Sequence, residues 1–209
     1  MYVPPQFLEI NIDEIKAITQ AAPLACIVAQ TAQGLIANHI PLLSAPDGGL
    51  IGHVAAANDM HRLITEGQEV LTIFRGNDAY VSPNYYPSKA EHHRHVPTWN
   101  YQVVHVYGTI NFQYDDHAKR AAVALLTRDH ERRINGQHAW KMADAPKDYM
   151  QQMLDGIVAF QINVRTILAK SKLSQNRDAR DYEGTISGLK AAGHNAMAAE
   201  MENRSKKPA

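Results

Sequence analysis

A single cysteine, Cys26, stands among the 209 residues, so no disulfide can close within the chain. A chain of this length buries a sufficient core without one. Charge of either sign is in no surplus: 21 Lys and Arg balance 21 Asp and Glu. Dedicated nucleic-acid binders carry a basic excess, because phosphate neutralisation supplies most of their non-specific affinity. Composition therefore offers no argument for DNA, although a local basic patch stays open. No stretch approaches the roughly 18 apolar residues of a membrane span. Met1-Tyr2-Val3-Pro4-Pro5 lacks the charged-then-apolar order of a signal peptide. These absences lead to the expectation of a cytoplasmic protein with no membrane partner. No Gly-x-Gly-x-x-Gly run is present, which argues against a tightly held Rossmann nicotinamide. The absence of a Gly-x-Ser-x-Gly elbow leaves nucleophilic hydrolysis little support.

Apolar residues make up 45% of the chain and charged residues 20%, ordinary values that set disorder aside for most of it. Residues 11–22 read as a helix, with Asn11 or Asp13 as cap and Ile12, Ile15 and Ile18 at helical spacing. Strand patterns follow at 24–30, 34–43 and 49–55, separated by Gly34 and by Pro46-Asp47-Gly48-Gly49. Cys26, within the first of these, reads as a small buried core residue. A short helix is predicted over 58–66 with Asn58 as cap, and a strand over 69–75 ending at Gly76-Asn77-Asp78. Residues 82–97 hold three prolines and no periodicity, and an ordered loop of that length is usually functional. A long strand is predicted over 98–114, helices near 115–130 and 146–156, and a last strand over Ile157 to Val164. The tail from 176 is alanine-rich and helix-prone, with Arg204-Ser205-Lys206-Lys207 as a frayed end. The sum is mainly β with flanking helices, an α+β arrangement that suggests a barrel over 1–175 and a helical C-terminal extension over 176–209 of the same domain.

Four stretches carry chemistry. On the strand Gly34–Leu43, His39 shares a face with Leu35 and Ala37 while Asn38 lies on the other, which equally fits a half-exposed strand end. Gly52-His53-Val54-Ala55-Ala56-Ala57-Asn58 places a histidine and small residues before a helix cap, where a ligand can approach the backbone. A satisfied core histidine fits as well. In the loop, Ser88 and Lys89 suit a phosphate, a hydroxyl beside a point charge. On the strand after it, Thr98 and Asn100 point one way and Trp99 and Tyr101 the other, polar donors against an aromatic wall. Lys172-Leu173-Ser174-Gln175-Asn176 is a polar knot that alone passes for a loop and cap. The histidines of Glu91-His92-His93-Arg94-His95 suggest zinc or copper, but no second ligand cluster has recognisable spacing, and a solvated loop is the simpler reading.

Met1-Tyr2-x-Pro-x-x-Phe7, Asn38-His39-Ile40-Pro41-Leu42, Gly52-His53-Val54-Ala55, Ala79-Tyr80-Val81-Ser82-Pro83, Tyr86-Pro87-Ser88-Lys89, Val96-Pro97-Thr98-Trp99-Asn100-Tyr101 and Lys172-Leu173-Ser174-Gln175-Asn176 resemble, in this order, the PaiB-type FMN-binding negative transcriptional regulators. The resemblance spans residues 1 to about 185, and its last two runs are the specific ones. It implies an FMN-binding split β-barrel of the pyridoxamine-phosphate-oxidase-like kind, a homodimer with FMN near the subunit interface, and a repressor role with DNA as a partner. Under it, Lys89, Ser88 and Asn58 are candidates for the phosphate. His53, Thr98 and Asn100 are candidates for the ring and ribityl groups, His39 for a donor near the ring, and Trp99 for packing. Lys172 and Gln175 reach in from the same or the other subunit. The sequence departs at Ala56, where the family often has an arginine, at Ala159, where it favours glycine, and at Ala169-Lys170-Ser171-Lys172. The alternative is an FMN-dependent oxidoreductase acting on a small molecule.

Overall fold

The computed structural model describes residues 1–45 and 47–205. Pro46 of the glycine turn and Lys206 and Lys207 of the frayed end lie outside the described residues. Two compact units form. The first is built from Met1–Ala21, Arg75–Val104 and Leu168–Ala209, the second from Ala22–Phe74 and His105–Ile167.

In the second unit, strands β2 (Leu24–Thr31), β3 (Gly34–Pro41), β4 (Leu43–Ser44), β5 (Leu50–Ala55), β6 (from Glu69), β7 (to Gln113) and β8 (from Ile157) lie in the order β3-β2-β6-β7-β8-β5-β4. β2 and β3 are an antiparallel hairpin in which Thr31 faces Gly34, whose φ of 103° favours glycine. β5 runs antiparallel to β8, with His53 opposite Ala159. Alternation sets the core: Ala25, Ile27 and Ala29 of β2 are buried, and so are Leu50, Gly52 and Val54 of β5. Cys26 therefore does not lie in the core as its apolar run suggested. It is half-buried, on the opposite face of β2 from Ala25 and Ile27. Helices α2 (Met60–Leu63), α4 (Asp116–Asn135) and α5 (Lys147–Asp155) complete this unit, and Leu126, Met150 and Leu154 bury their apolar sides.

The first unit holds β1 (Leu8–Glu9), α1 (Ile12–Ala21), the ends of β6, β7 and β8, the short α3 (Lys89–His92), and helices α6 (Ala179–Ala191) and α7 (Asn195–Ser205). Its core gathers Ala79, Leu173, Leu189, Met197, Ala198 and Met201, with Tyr85, Tyr182 and Ile186 packed against them. Helix α6 approaches the loop closely because Gly184 and Gly188 lack side chains. A Cβ at Gly184 would sit 2.4 Å from the Tyr85 carbonyl oxygen, and one at Gly188 would sit 2.3 Å from the Tyr85 ring. The N-terminal strand meets β8 and the last turn of α7 here. β1 pairs with β8, Leu8 opposite Lys170, and Arg204 Nη1 donates to the buried carboxylate of Glu9 at 2.5 Å.

Two strands run longer than their sequence pattern indicates. β6 continues through Gly76-Asn77-Asp78 to Val81, because Ala79 and Val81 resume the inward alternation. β8 continues from Val164 to Lys172, past exposed Arg165 and Thr166, because β1 pairs with its far end. Helix α4 also extends past residue 130 to Asn135, where Gly136, at φ 54°, ends it. Gly108 of β7 marks the tightest backbone approach in the second unit: a Cβ there would lie 2.3 Å from the Asn163 carbonyl oxygen. Gly108→Ala forces β7 and β8 apart, and urea denaturation should register a loss of about 1–3 kcal/mol, as for other overpacked interiors.

Candidate functional site

In the first unit, the beginning of β7 and the end of β8 lie side by side. Lys172 Nζ donates to Thr98 Oγ1 and to the Trp99 carbonyl oxygen, both at 2.5 Å, and lies 5.8 Å from the centre of the Phe7 ring. Burial, followed by the charges of Lys170 and Arg177, holds the Lys172 ammonium below its ordinary pKa. Three cations thus act on one region. Lys170 is buried and its ammonium sits 5.0 Å from the centre of the Tyr101 ring. Arg177 lies over the Tyr86 ring at 4.6 Å. Among the described residues none of the three is in a salt bridge. Two cations that depress the ammonium of a third, with no carboxylate paired to any of them among the described residues, leave room for an anion such as a phosphate.

The expected alternation on β7 holds. Asn100 is fully buried and exchanges hydrogen bonds with Ser174, at 2.9 and 3.1 Å. Trp99 is half exposed, with the Tyr80 ring edge-on at 5.9 Å. Asn100 is thus committed to holding the turn after β8, while Trp99 offers an open aromatic face. Gln175 is likewise committed: its oxygen accepts from the Leu173 N–H and its amide donates to the Ser171 carbonyl oxygen, both at 2.6 Å. These bonds shape the turn in which Ser174 adopts φ 60°.

Ser88 is not at the surface. Its hydroxyl donates to Asp181 Oδ2 at 2.6 Å, its backbone N–H donates to Asp181 Oδ1 at 3.0 Å, and His95 Nε2 lies 2.7 Å from its oxygen. Because the hydroxyl proton points to Asp181, Nε2 must be the donor to Ser88, and His95 Nδ1 is left facing Arg177 at 3.5 Å. That order is the reverse of a hydrolase triad, in which the histidine accepts the serine proton. Burial raises the Asp181 pKa, but the two Ser88 bonds and the nearby His95 and Arg180 outweigh it, and the net shift is downward. Lys89 Nζ, at the end of its four-carbon stem, turns away to Asn84 Oδ1. The histidine loop is tied to α6 by the bidentate Arg180–Glu91 pair, at 2.5 and 2.9 Å. The His92 and His95 rings lie 4.8 Å apart, tilted by 45°, and among the described residues no three His, Cys, Asp or Glu side chains converge as a metal site.

The remaining candidates belong to the second unit. His39 is exposed on β3. His53 is half-buried on β5, its Nδ1 is enclosed without a partner, and burial lowers its pKa. Asn58 donates to Asn38 Oδ1 at 3.0 Å and accepts from the Met60 N–H at 2.9 Å, so it fastens the start of α2 to β3, although the cap position itself falls on Asp59, one residue later than expected. The structure therefore joins Thr98, Trp99 and Lys172 directly, and Asn100 with the turn that carries Gln175. It puts Ser88 in a separate buried network. Lys170, Arg177, Tyr2 and Phe7 were missed as site residues, although three basic residues within 170–177 are a readable signal.

Residues 1–166 match the family described as "Putative FMN-binding domain". Protease synthase and sporulation protein PAI 2 of Bacillus subtilis (strain 168) is 34% identical over 99% of this chain and 99% of its own. The chain belongs to this family. Among solved structures, the FAD and heme binding protein of Mycobacterium smegmatis is similar with a TM-score of 0.59 at 16% identity, covering 84% of this chain and 78% of that one. The flavocytochrome Anf3 of Azotobacter vinelandii follows at 0.58 and 14%, covering 85% and 75%. The fold is the split β-barrel, pyridoxamine-phosphate-oxidase-like, that the sequence motifs implied. Family membership points to a flavin as the cofactor class. The residues present fit one: an anion-lacking cation cluster beside an open indole suits a phosphorylated flat ring.

The Ser88 network separates a structural role from a binding one. Ser88→Ala should cost about 1–3 kcal/mol in urea denaturation, the range for a buried hydrogen bond to a charge, while leaving flavin affinity unchanged in the protein that stays folded. Asp181 has a lowered folded pKa, so its carboxylate adds stability above its unfolded value of 3.8, and that stability is lost as pH falls through the folded value. The stability gap between the wild type and Asp181→Asn should therefore be constant from neutral to mildly acidic pH and close below about pH 4.

Proposed function

We propose that this protein binds FMN non-covalently as a homodimer and acts as a negative transcriptional regulator of the PaiB type. The observation that carries the FMN reading is the set of Lys170, Lys172 and Arg177, without a salt-bridge partner among the described residues, at the foot of the strand that presents Trp99. A dianionic phosphate supplies the missing charge, and Trp99 and Tyr101 supply a surface for the ring. At Ala56, where the family often has arginine, the nearby guanidinium is that of Arg62, which donates to the Ala56 carbonyl oxygen at 3.1 Å and is paired with Asp59.

Support for the homodimer comes from the outer face of β2 and β3. Leu24 and Leu35 are 59% and 73% exposed, and Leu35 joins Val28, Leu71 and Tyr107, with Gln30 and Glu69 at the edge, in lining a shallow cavity of about 250 Å³. An apolar sheet face left open in this way is what a second copy would cover. The regulator role rests on the family and on the name of the Bacillus relative. With a net charge of zero, any DNA contact would depend on a local patch.

Titrating FMN into purified protein should quench flavin fluorescence to one equivalent per chain. Lys172→Gln should weaken binding by about tenfold or more, the loss of a charge-assisted contact of about 1.5–3 kcal/mol. Absence of saturable FMN binding by the wild type would overturn the reading. Sedimentation should give twice the chain mass, falling to one chain in Leu35→Glu. Gel shift with the protein's own upstream DNA should show a retarded band at low salt. Anaerobic nicotinamide cofactor should leave the flavin band intact, and bleaching would place the chain among flavin oxidoreductases instead.

A further inference from the structure

A cleft in the second unit takes no part in the flavin reading. Helix α4 carries Ala124, Arg128 and Arg132 at i, i+4 and i+8, one above another on a single face. Gly136 ends the helix at φ 54°, and the chain folds back so that Trp140, Lys141 and Met142 close the opposite wall. Together they line a cavity of about 430 Å³. The returning segment is fastened rather than loosely laid. Glu131 Oε2 on the helix accepts from the Trp140 N–H at 2.9 Å and from Asn135 Nδ2 at 2.7 Å.

Charge and shape define the occupant. Arg128, Arg132 and Lys141 are exposed, and none is in a salt bridge among the described residues, although Arg133 on the same helix is paired with Asp129. Three like charges around one cavity repel each other, and an anion between them relieves this. The walls between are apolar: Ala124, Met142 and the indole of Trp140, which is 41% exposed. A cavity of this size falls in the range for small-molecule sites. Guanidinium groups pair with planar carboxylates in a two-pronged fashion, and an indole stacks on a flat ring. We propose that this cleft is a binding site for a small aromatic carboxylate, its ring against Trp140 and its carboxylate between Arg128 and Arg132.

The chain has two tryptophans, Trp99 and Trp140, so the isotope-labelled full-length protein gives two indole N–H resonances in a nitrogen–proton correlation spectrum. Trp140→Phe assigns them. Titration with naphthoate should move the Trp140 signal saturably and leave Trp99 in place. Naphthalenemethanol, the same ring without the charge, should bind at least about tenfold more weakly, as expected for loss of charge-assisted hydrogen bonds. The variant R128Q/R132Q, which alters exposed side chains only, should keep the Trp140 signal at its starting position and lose at least about tenfold in naphthoate affinity. The assignment is overturned if Trp140 does not respond, if acid and alcohol bind alike, or if the double variant binds naphthoate as the wild type does. A response at Trp99 alone would place the acid on the first unit's cations and overturn it equally.

Discussion

The buried carboxylate of Asp181 is the contact on which the first unit depends. It receives two bonds from Ser88 and faces His95, and so gathers both ends of the proline-bounded loop onto one point of α6. A buried charge is tolerable only when its lone pairs are filled, and here they are filled by the loop itself. The loop cannot leave without exposing a bare carboxylate to an apolar surrounding. That constraint fixes where β7 begins, and with it the direction in which Trp99 and Thr98 point.

The cations of the same unit are arranged in the opposite sense. Glu9 has Arg204 and Glu91 has Arg180, yet Lys170, Lys172 and Arg177 have aromatic faces and neutral oxygens as neighbours. Two ion pairs thus tie structural contacts together, whereas these three cations have no carboxylate partner among the described residues. Tyr101, Tyr86 and Phe7 soften the repulsion through their ring faces without neutralising it. The arrangement keeps the cluster positive.

Much of the sheet is legible in the sequence. The runs of β2, β3 and β5 are set apart by Gly34 and the 46–49 turn, and the opposed faces of Thr98–Asn100 and Trp99–Tyr101 follow from period two alone. The far ends of β6 and β8 are not legible, because Asn77-Asp78 and Arg165-Thr166 interrupt the apolar pattern while distant partners keep the backbone extended. Site residues divide along the same line. Lys172 could be chosen from its motif, but the fate of Ser88 is decided by Asp181, 93 positions later, and no local pattern announces that partner. Cys26 was misplaced for a related reason: a short apolar run says which residues are buried together, not which face of the strand each takes.

The first unit is assembled from three separated stretches of chain, and its last stretch begins at Leu168. The second unit has all its residues by Ile167. During synthesis the ribosome therefore releases everything the second unit requires while the loop, the tryptophan strand and β1 still wait for α6, α7 and the end of β8. Lys170, Lys172 and Arg177 all lie in that last stretch, so a nascent chain stalled before Lys170 carries none of the cluster's three charges.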